Sequence, residues 1–351
     1  MINRINLHLS YLCNMDCKYC FLTEESKHNS KAFDRWDELL KFLKTVPLGE
    51  QVSINLSSGE LSMQPELIRA AYKKLKKIER YKDTKLVFGM YTNGTNIDEI
   101  FNLLDEGILD SRYTSMSWDG VTNTIGRTPI DIRRYKDSYF NNAVKKIGYS
   151  KHGDEFVIRS ALTFDLLENI EFTLYHLYES GCANWEYYYL IDNDDYRKQS
   201  FQTLFRKALQ YMYKYKKLGL NIYNLSSMDK YYSDNNSDKG LWCKCLTDSM
   251  DISIDGKILP CGSYASNYKY AFSHPEIFDD ISKPFDEKKL RQISCENCLD
   301  CTTCDYAHCR NKHCVECSRM VHYRNGNSFD FKSKQPCQLR DIEREEYLRR
   351  S

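Results

Sequence analysis

The stretch INLHLSYLCNMDCKYC, from Ile5 to Cys20, decides the fold of this 351-residue chain. In its first half, Ile5, Leu7 and Leu9 alternate with polar residues, which is the pattern of a half-buried strand. The strand leads directly into three cysteines with the spacing CxxxCxxC. Three thiolates in one tight loop suit one face of a [4Fe–4S] cluster, which normally takes four ligands. A zinc knuckle is the alternative, but structural zinc prefers four protein ligands and no fourth follows nearby.

Strand-like and helix-like patterns then alternate as far as about residue 218. Six β-then-α units predict a parallel sheet whose right-handed crossovers curl it into a partial (β/α)6 barrel. In such folds the chemistry lies at the C-terminal ends of the strands. The pairs of strand and helix are Ile5–Leu9 and Trp36–Val46, Val52–Leu56 and Leu67–Ile78, Leu86–Tyr91 and Ile97–Leu104, Tyr113–Trp118 and Tyr139–Ile147, Phe156–Leu162 and Leu167–Tyr178, and Trp185–Leu190 with a helix ending near Leu218.

A different kind of region begins near residue 226. Residues 250–259 alternate around Asp255-Gly256, a strong signal for a two-residue hairpin. Between residues 295 and 317 seven cysteines are crowded together and apolar periodicity nearly vanishes, so bound metal must replace a hydrophobic core there. Cys337 opens a charged C-terminal helix. We therefore predict an α/β barrel domain at 1–225 and a small, cysteine-rich, irregular α+β domain at 226–351.

Composition limits the classes of function. The chain has 50 basic and 49 acidic residues, and this net charge of +1 argues against a broad nucleic-acid-binding surface. No apolar run approaches the ~18 residues of a membrane span, and the N-terminal segment lacks a secretory core. These features predict a cytoplasmic protein without a nucleic-acid or membrane partner. In a reducing cytosol its 15 cysteines would be metal ligands or catalytic groups rather than disulfides.

The CxxxCxxC loop after the first strand, with Tyr19 between its last two cysteines, resembles the radical SAM superfamily. The resemblance implies that Cys13, Cys17 and Cys20 hold a [4Fe–4S] cluster whose open iron binds S-adenosylmethionine (SAM). It also implies that an electron from the cluster cleaves the sulfonium to give a 5′-deoxyadenosyl radical, the cofactor supplying the difficult chemistry.

Loops at later strand ends extend the resemblance over about residues 3–195. Residues 57–61, SSGEL, are similar to the family's GGEP loop, with Ser and Leu in place of its first Gly and its Pro. Residues 91–94, YTNG, and 117–120, SWDG, resemble the TNG and S-x-D-G loops, although Asn-Gly and Asp-Gly alone are usually just turns. The SAM contacts implied are Tyr19, Ser58, Gly59, Glu60, Thr92, Asn93, Ser117, Asp119, Arg159 and Ser160.

The C-terminal cysteines resemble the SPASM extension of radical SAM enzymes, which implies one or two auxiliary [4Fe–4S] clusters. Eleven thiols exceed the eight that two fully ligated clusters need, and which thiol binds which cluster stays open. Structural zinc in some positions is the alternative, because repeated CxxC pairs suit Cys₄ sites. The proposed ligands are Cys243, Cys245, Cys261, Cys295, Cys298, Cys301, Cys304, Cys309, Cys314, Cys317 and Cys337.

Three further features have competing interpretations. Asp192, Asp194 and Asp195 follow the sixth strand and are candidate general bases, although acids before a helix are more often a cap with a solvated face. Residues 187–189, three tyrosines, could place alternate rings inside the barrel or simply pack. Cys182 is interpreted as a buried packing residue.

The predicted function is that of a radical SAM enzyme of the SPASM group, acting on a peptide or protein side chain. The resemblance suggests thioether or carbon–carbon crosslinking, or oxidation of Cys or Ser to formylglycine. It implies an electron donor of flavodoxin or ferredoxin type, and any leader peptide would be recognised by a separate protein. The alternatives are radical SAM modification of a small molecule such as a sugar or cofactor, and a non-enzymatic iron–sulfur or zinc protein.

Overall fold

A computed structural model describes residues 1–20, 22, 24–190, 194–226, 249–259, 279–286 and 335–350. These residues belong to two compact units. The first unit comprises residues 1–116, 129–131 and 244–297, and the second comprises residues 117–128, 132–243 and 298–351. None of the helices in the described ranges is long and apolar enough to cross a membrane.

The strands and helices alternate along the chain much as the sequence patterns predict. The strands are β1 (Ile2–Ser10), β2 (Met15–Cys17), β3 (Leu48–Ser58), β4 (Lys85–Thr92), β5 (Ser115–Ser117), β6 (Arg127–Pro129), β7 (Val157–Ala161), β8 (Asn184–Tyr188), β9 (Asn221–Ile222), β10 (Ser249–Ile252), β11 (Lys257–Leu259) and β12 (Asp279–Asp280). The helices are α1 (Glu24–Lys27), α2 (Trp36–Thr45), α3 (Pro65–Leu75), α4 (Ile97–Asp105), α5 (Asp137–Gly148), α6 (Phe164–Glu168), α7 (Ile170–Glu179), α8 (Gln199–Lys217) and α9 (Gln335–Leu348).

In the first unit the strand order is β12-β11-β10-β1-β3-β4-β5. The pairs from β10 to β5 are parallel, whereas β11 and β12 add an antiparallel edge. In the second unit β7, β8 and β9 pair in parallel. The predicted α/β class with a mostly parallel sheet is therefore confirmed. The cysteine-rich α+β domain falls largely outside the described residues and stays a prediction.

Amphipathic helices cover the sheet in each unit. In the first unit, α2 buries Leu39, Phe42 and Leu43, and β1 buries Ile5 and Leu7. In the second unit the large fully buried side chains include Trp185 of β8 and Phe201 and Phe205 of α8. Each such side chain contributes roughly 1.5–3 kcal/mol through burial, so the apolar periodicity visible in the sequence provides the core of both units.

Local chemistry changes several predicted boundaries. The segment Leu167–Tyr178 is not one helix, because α6 ends at Glu168 and α7 begins anew at Ile170. The fourth strand is shorter than predicted, because residues 111–113 form a 3₁₀ turn. Asp110 caps this turn: its Oδ1 accepts the backbone N–H of Arg112 at 3.0 Å. The third helix pattern ends as predicted at Gly107, which adopts φ +69°.

The hairpin at residues 250–259 is confirmed, and it lies in the first unit. Its first strand, β10, pairs in parallel with β1 and so extends the sheet of the first unit. Its turn is also longer than two residues: Ile252 pairs with Ile258, and Ser253 N–H donates to Lys257 O at 2.8 Å. Gly256 takes φ +77° in this turn.

An arginine connects the hairpin and the edge strand to helix α2. The Arg35 guanidinium donates to both oxygens of Asp280, at 2.8 and 3.0 Å, and to the Asp255 carbonyl. It also forms an ion pair with Glu38. Burial alone would raise the pKa of Asp280, but the bonds from Arg35, Ser282 and Lys257 outweigh it, so that this pKa lies below its usual range.

We expect Arg35→Ala to lower the free energy of unfolding by about 1–2 kcal/mol, because charged hydrogen bonds to Asp280 are lost at a partly exposed site. Urea titration measures this change, and hydrogen exchange should show faster opening of β10 and β11. Arg112→Ala is the control, since the Arg112 side chain is 57% exposed and its ion pair with Asp110 spans only two residues. Equal effects of the two substitutions would contradict the assigned connection.

Candidate functional site

The loop that follows β1 carries the three cysteines predicted to bind the cluster. Among the described residues, Cys13, Cys17 and Cys20 form no disulfide, and each is partly exposed. The loop is closed on itself by Cys20 N–H donating to Cys17 O at 3.0 Å. It is attached to α1 by Cys13 N–H donating to Lys27 O at 3.1 Å. The three cysteines therefore lie on one loop at the C-terminal end of β1.

The loop supplies three cysteine sulfurs as possible ligands of a cluster. Within the described ranges, no three His, Cys, Asp or Glu side chains converge closely enough to hold one metal ion. A [4Fe–4S] cluster places each thiolate on a different iron, so its ligands need not converge on one point. Burial, and after it the Glu60 carboxylate, raises the pKa of Cys13 to about 12. Metal binding would therefore have to displace the proton of this thiol.

A buried lysine lies beside the same loop. Lys27 is largely buried, and its Nζ lies 2.7 Å from Asp16 Oδ1. Burial alone would lower the pKa of Lys27, but the hydrogen bond to Asp16 and the neighbouring Cys20 and Cys17 outweigh it and the pKa is raised. The ammonium thus stays charged beside Cys17 and Cys20.

Amides at the end of β4 hold the cysteine loop in place. Asn93 Nδ2 donates to Asn14 Oδ1 at 2.8 Å and lies 3.9 Å from the sulfur of Cys13. Asn14 Nδ2 donates to Thr95 Oγ1 at 2.9 Å, and Thr95 Oγ1 donates to Asn93 Oδ1 at 2.7 Å. This closed set of bonds aligns the loop at residues 92–95 with the first cysteine.

Glu60 is engaged by several protein donors. It is 1% exposed, and its Oε1 accepts bonds from the N–H and hydroxyl of Ser62 and from the Thr92 hydroxyl at 2.9 Å. Its Oε2 accepts the backbone N–H of Asn93. Burial raises the pKa of Glu60, and these donors oppose the rise. The carboxylate therefore connects the ends of β3 and β4, and among the described residues only one donor reaches Oε2.

Gly59 is required by a close approach of two backbone segments. A Cβ at this position would lie 2.1 Å from Leu12 O and 2.4 Å from Tyr11 O. Gly59 N–H also donates to Ser10 O at 3.0 Å, and Glu60 N–H to Leu12 O at 2.8 Å. The missing side chain thus lets the end of β3 contact the start of the cysteine loop, a role that the sequence alone does not indicate.

The other predicted contacts of the first unit lie at the same strand ends. Ser58 is the last residue of β3, and Tyr19 is half-buried between Cys17 and Cys20. Thr92 Oγ1 accepts Gly94 N–H at 3.1 Å in addition to its bond to Glu60. These residues stay proposals as SAM contacts.

The predicted contacts of the second unit form a network of their own. Asp119 is buried and its Oδ1 accepts Ala161 N–H at 2.8 Å. The Ser160 hydroxyl donates to Trp118 O at 2.5 Å and accepts Trp185 Nε1–H at 2.8 Å. It therefore acts as both donor and acceptor within the protein. The remaining two are partly exposed: Ser117 ends β5, and Arg159 pairs with Glu186 through a bond of 2.7 Å from its Nε.

We expect Gly120→Ala to lower the free energy of unfolding by about 2–3 kcal/mol. Gly120 adopts φ +92°, and a Cβ there would lie 2.5 Å from Thr173 Oγ1, so strain of the left-handed backbone is added to a clash. Gly219→Ala is the matched control, because Gly219 adopts φ +109° with no atom within 4 Å of its Cβ position. Thermal or urea unfolding should show a clearly larger loss for Gly120→Ala, and equal losses would contradict the clash with Thr173.

The candidate general bases are only partly within the described chain. Asp192 lies outside it, and Asp194 begins a short 3₁₀ helix at Asp194–Arg197. Asp195 is partly exposed and pairs with Lys198 at 2.6 Å just before α8. This arrangement agrees with the simpler interpretation of a solvated helix start, and a catalytic role stays untested.

The remaining cysteines also lie only partly within the described chain. Cys182 is buried, with its sulfur 3.5 Å from Val144 O, and burial raises its pKa to about 12, so its interpretation as a packing residue is confirmed. Cys337 lies in α9. Ten proposed ligands lie outside the described residues: Cys243, Cys245, Cys261, Cys295, Cys298, Cys301, Cys304, Cys309, Cys314 and Cys317.

The structure also reveals buried polar residues that the sequence interpretation missed. Glu343 of α9 is buried and accepts hydrogen bonds from the hydroxyls of Tyr187 and Tyr189. In the first unit, His8 is buried beside Asp251. The signal for His8 is its place between Leu7 and Leu9, but the alternation suggests a solvated face, and only the fold shows that this face is covered.

Comparisons with known proteins agree with this site. Residues 7–148 match the model of the Radical SAM superfamily. A 60-residue stretch is 37% identical to an S-adenosylmethionine-dependent nucleotide dehydratase of Selenomonas ruminantium, and this stretch covers 17% of the chain and 21% of that protein. The match thus spans about a fifth of the curated relative.

Solved structures share the fold at low identity. Native anSMEcpe with bound AdoMet superposes with a TM-score of 0.70 and 17% identity, over 99% of this chain and 98% of that one. Native anSMEcpe with bound AdoMet and Cp18Cys peptide gives 0.70 and 17%, over 99% and 97%. SuiB of Streptococcus suis bound to S-adenosylmethionine gives 0.56 and 15%, over 88% and 72%.

The family match covers the cysteine loop, the Glu60 and Asn93 loops and the start of the second unit. Residues 7–148 therefore form a radical SAM superfamily domain. The family implies SAM and a [4Fe–4S] cluster, and the donor set of Cys13, Cys17 and Cys20 fits such a cluster.

Proposed function

We propose that this chain is a radical SAM enzyme that cleaves SAM reductively and abstracts hydrogen from a peptide or protein substrate. The observation that carries the proposal is the loop of three cysteines, held by Asn14 and Asn93 beside the buried Glu60. When bound, the cluster supplies the electron that breaks the sulfonium bond of SAM. A carrier protein of flavodoxin or ferredoxin type would supply electrons to it.

The residues of the first unit have distinct roles in this proposal. Cys13, Cys17 and Cys20 ligate the cluster as thiolates, which Lys27 stabilises. Glu60 holds the loops together, and the free lone pair on its Oε2 accepts a hydrogen bond from the ammonium of SAM. Asn93 aligns its loop with Cys13. The remaining proposed contacts at these strand ends are Tyr19, Ser58, Gly59 and Thr92.

For the second unit, the resemblance of the loops supports contacts of Ser117, Asp119 and Arg159 with the ribose or carboxylate of SAM. Ser160 is proposed as a further SAM contact through its backbone. Its hydroxyl is already engaged, because it donates to Trp118 O and accepts Trp185 Nε1–H. The C-terminal cysteines are proposed to hold one or two auxiliary clusters, with zinc in some positions as the alternative.

A peptide substrate is supported by likeness of fold to a protein whose structure contains a peptide. The superposition with anSMEcpe bound to the Cp18Cys peptide covers 99% of this chain. The reaction would be a crosslink or an oxidation of Cys or Ser, each of which removes two hydrogens. A small-molecule substrate is the second candidate, because the 60-residue stretch at 37% identity belongs to a nucleotide dehydratase.

Anaerobic reconstitution with iron, sulfide, SAM and dithionite tests the enzyme class. We expect 5′-deoxyadenosine to form, and its absence while the cluster is intact would refute the proposal. Synthetic peptides carrying one Cys or one Ser, and separately nucleotides, then distinguish the substrates. A peptide product lighter by two hydrogens supports the first candidate, as does a Cys peptide that has lost two hydrogens and exchanged its sulfur for oxygen with release of hydrogen sulfide. A modified nucleotide supports the second.

Metal analysis of a variant with all three loop cysteines replaced by alanine tests the auxiliary clusters. We expect roughly eight irons to remain, because two [4Fe–4S] clusters would be left. A preparation that contains zinc and no iron would contradict this part of the proposal.

A further inference from the structure

The segment after the cysteine loop carries a buried positive charge. Lys27, the last residue of α1, is 4% exposed and is the one buried lysine in the described ranges of the chain. Its carbonyl accepts Cys13 N–H at 3.1 Å, and its Nζ lies 2.7 Å from Asp16 Oδ1. The backbone and the side chain of this residue therefore both contact the loop that carries Cys13, Cys17 and Cys20.

The ion pair with Asp16 does not by itself explain why the Lys27 side chain is covered. The side chain of Lys27 is 5% exposed, whereas that of Asp16 is 65% exposed. A lysine can pair with a carboxylate while remaining in water, as Lys31 does with Asp255 at exposures of 52% and 35%. Burying the ammonium instead costs desolvation free energy, which one exposed partner repays only in part. The covered side of the ammonium therefore favours further negative charge.

The last two cysteines of the loop supply that charge when they are thiolates. Burial alone would lower the pKa of Lys27, but the bonded carboxylate and the nearby Cys20 and Cys17 raise it above its usual value. At the first cysteine the neighbouring charge is negative, since burial and then the Glu60 carboxylate raise the pKa of the Cys13 thiol. The loop thus has a fixed cation beside its second and third cysteines and a carboxylate beside its first.

We propose that the Lys27 ammonium raises the reduction potential of the cluster that the three loop cysteines would hold. The inference rests on the proposed function and deepens it, because it concerns how the cluster receives its electron. In that step one electron passes to the cluster from a reductant, which is dithionite or a carrier protein, and no bond forms or breaks. The cluster gains one negative charge, so a fixed positive charge nearby stabilises its reduced form.

Burial determines how much of this positive charge acts on the cluster. The field of an exposed lysine is screened by water and salt within about 8–10 Å, whereas a covered charge is screened much less. A unit charge acting over roughly 10 Å at an effective dielectric constant of about 20 changes a one-electron equilibrium by about tenfold. Because Asp16 is mostly exposed, it offsets only part of the charge of Lys27.

Redox titration of the whole reconstituted chain, followed by electron paramagnetic resonance, tests the inference. Lys27→Met removes the charge at similar volume, Lys27→Arg keeps the charge, and Asp16→Asn removes the opposing charge. Lys31→Met is the matched control, because it removes a lysine from the exposed ion pair with Asp255 in the same unit. The spectrum of the variant without the three loop cysteines is subtracted, so that auxiliary clusters do not contribute. Iron content is measured for every variant.

We expect the ratio of reduced to oxidised cluster at the wild-type midpoint potential to fall by about tenfold in Lys27→Met. This change corresponds to a potential lower by about 59 mV for one electron. Asp16→Asn should raise the potential by a smaller amount, while Lys27→Arg and Lys31→Met should stay close to wild type. Opposite signs distinguish an electrostatic role from a structural one, because damage to the loop would lower the iron content in both variants.

Equal potentials in wild type, Lys27→Met and Asp16→Asn would overturn the inference and leave the proposed function standing, as would shifts of the same sign. If Lys27→Met alone lost its iron, Asp16→Asn would decide, since a raised potential supports the inference and an unchanged one overturns it. Loss of iron from both variants would show a structural role and overturn the inference. A wild-type chain that binds no cluster in its loop would refute the proposed function itself.

Discussion

Single substitution of Cys13, Cys17 or Cys20 by alanine is expected to reduce 5′-deoxyadenosine formation by at least about 100-fold. The physical reason is the number of ligands: the loop supplies three thiolates, so losing one leaves the cluster with two. Loss of a group that only orients a metal ligand already costs about 10–100-fold, and loss of a direct ligand costs at least as much. Iron analysis and product detection by mass spectrometry measure the effect.

The matched control is Cys182→Ala. This thiol is buried in the second unit, where its sulfur donates to Val144 O at 3.5 Å, so it packs in a core. Its replacement should leave the iron content and the 5′-deoxyadenosine yield close to wild type while lowering stability modestly. If Cys182→Ala lost the cluster as fully as the loop variants, the assignment of the cluster to the loop would be wrong.

Gly59→Ala is expected to have the second largest effect, also about 100-fold on 5′-deoxyadenosine formation. A Cβ at this position would overlap Leu12 O, which cannot move without displacing the next residue, Cys13. A displacement of about 1 Å at a reacting centre can cost about 100-fold in rate. The effect should be visible in the cluster's absorption and electron paramagnetic resonance spectra as well as in turnover.

Gly107→Ala serves as the control in the same unit. Gly107 adopts φ +69° at the end of α4, but no atom lies within 4 Å of its Cβ position. Its replacement should reduce stability by about 1–2 kcal/mol through backbone strain and leave the cluster spectra unchanged. Indistinguishable spectra in Gly59→Ala and wild type would show that the end of β3 does not hold the cysteine loop.

Much of the fold could be predicted because the signals are local. Helices α2 and α4 follow the 3.6-residue spacing of their apolar residues, and Gly107 ends α4 by adopting a left-handed conformation. The hairpin around Asp255-Gly256 was likewise visible. Its partner was not, because a period of two identifies a strand without identifying the neighbour that it pairs with. Only the fold places β10 beside β1, about 245 residues earlier.

In the candidate site, too, local sequence signals indicated some features and only the fold showed others. The CxxxCxxC spacing and the order of the SSGEL and YTNG loops indicated the three cysteines and Glu60 as candidate site residues. They did not show that Glu60 is buried and accepts bonds from Ser62, Thr92 and Asn93, since two of those donors come from a different strand end.

By itself, the sequence determined the order of strands and helices and the three-cysteine loop, because each of these depends on spacing between neighbouring residues. The tertiary structure decided which polar residues lose contact with water. The alternation in β1 suggests a solvated position for His8, but the fold buries it and places its Nε2 3.5 Å from Asp251 Oδ1 of β10. Burial depends on what the rest of the chain packs against each residue, and no local pattern contains that information.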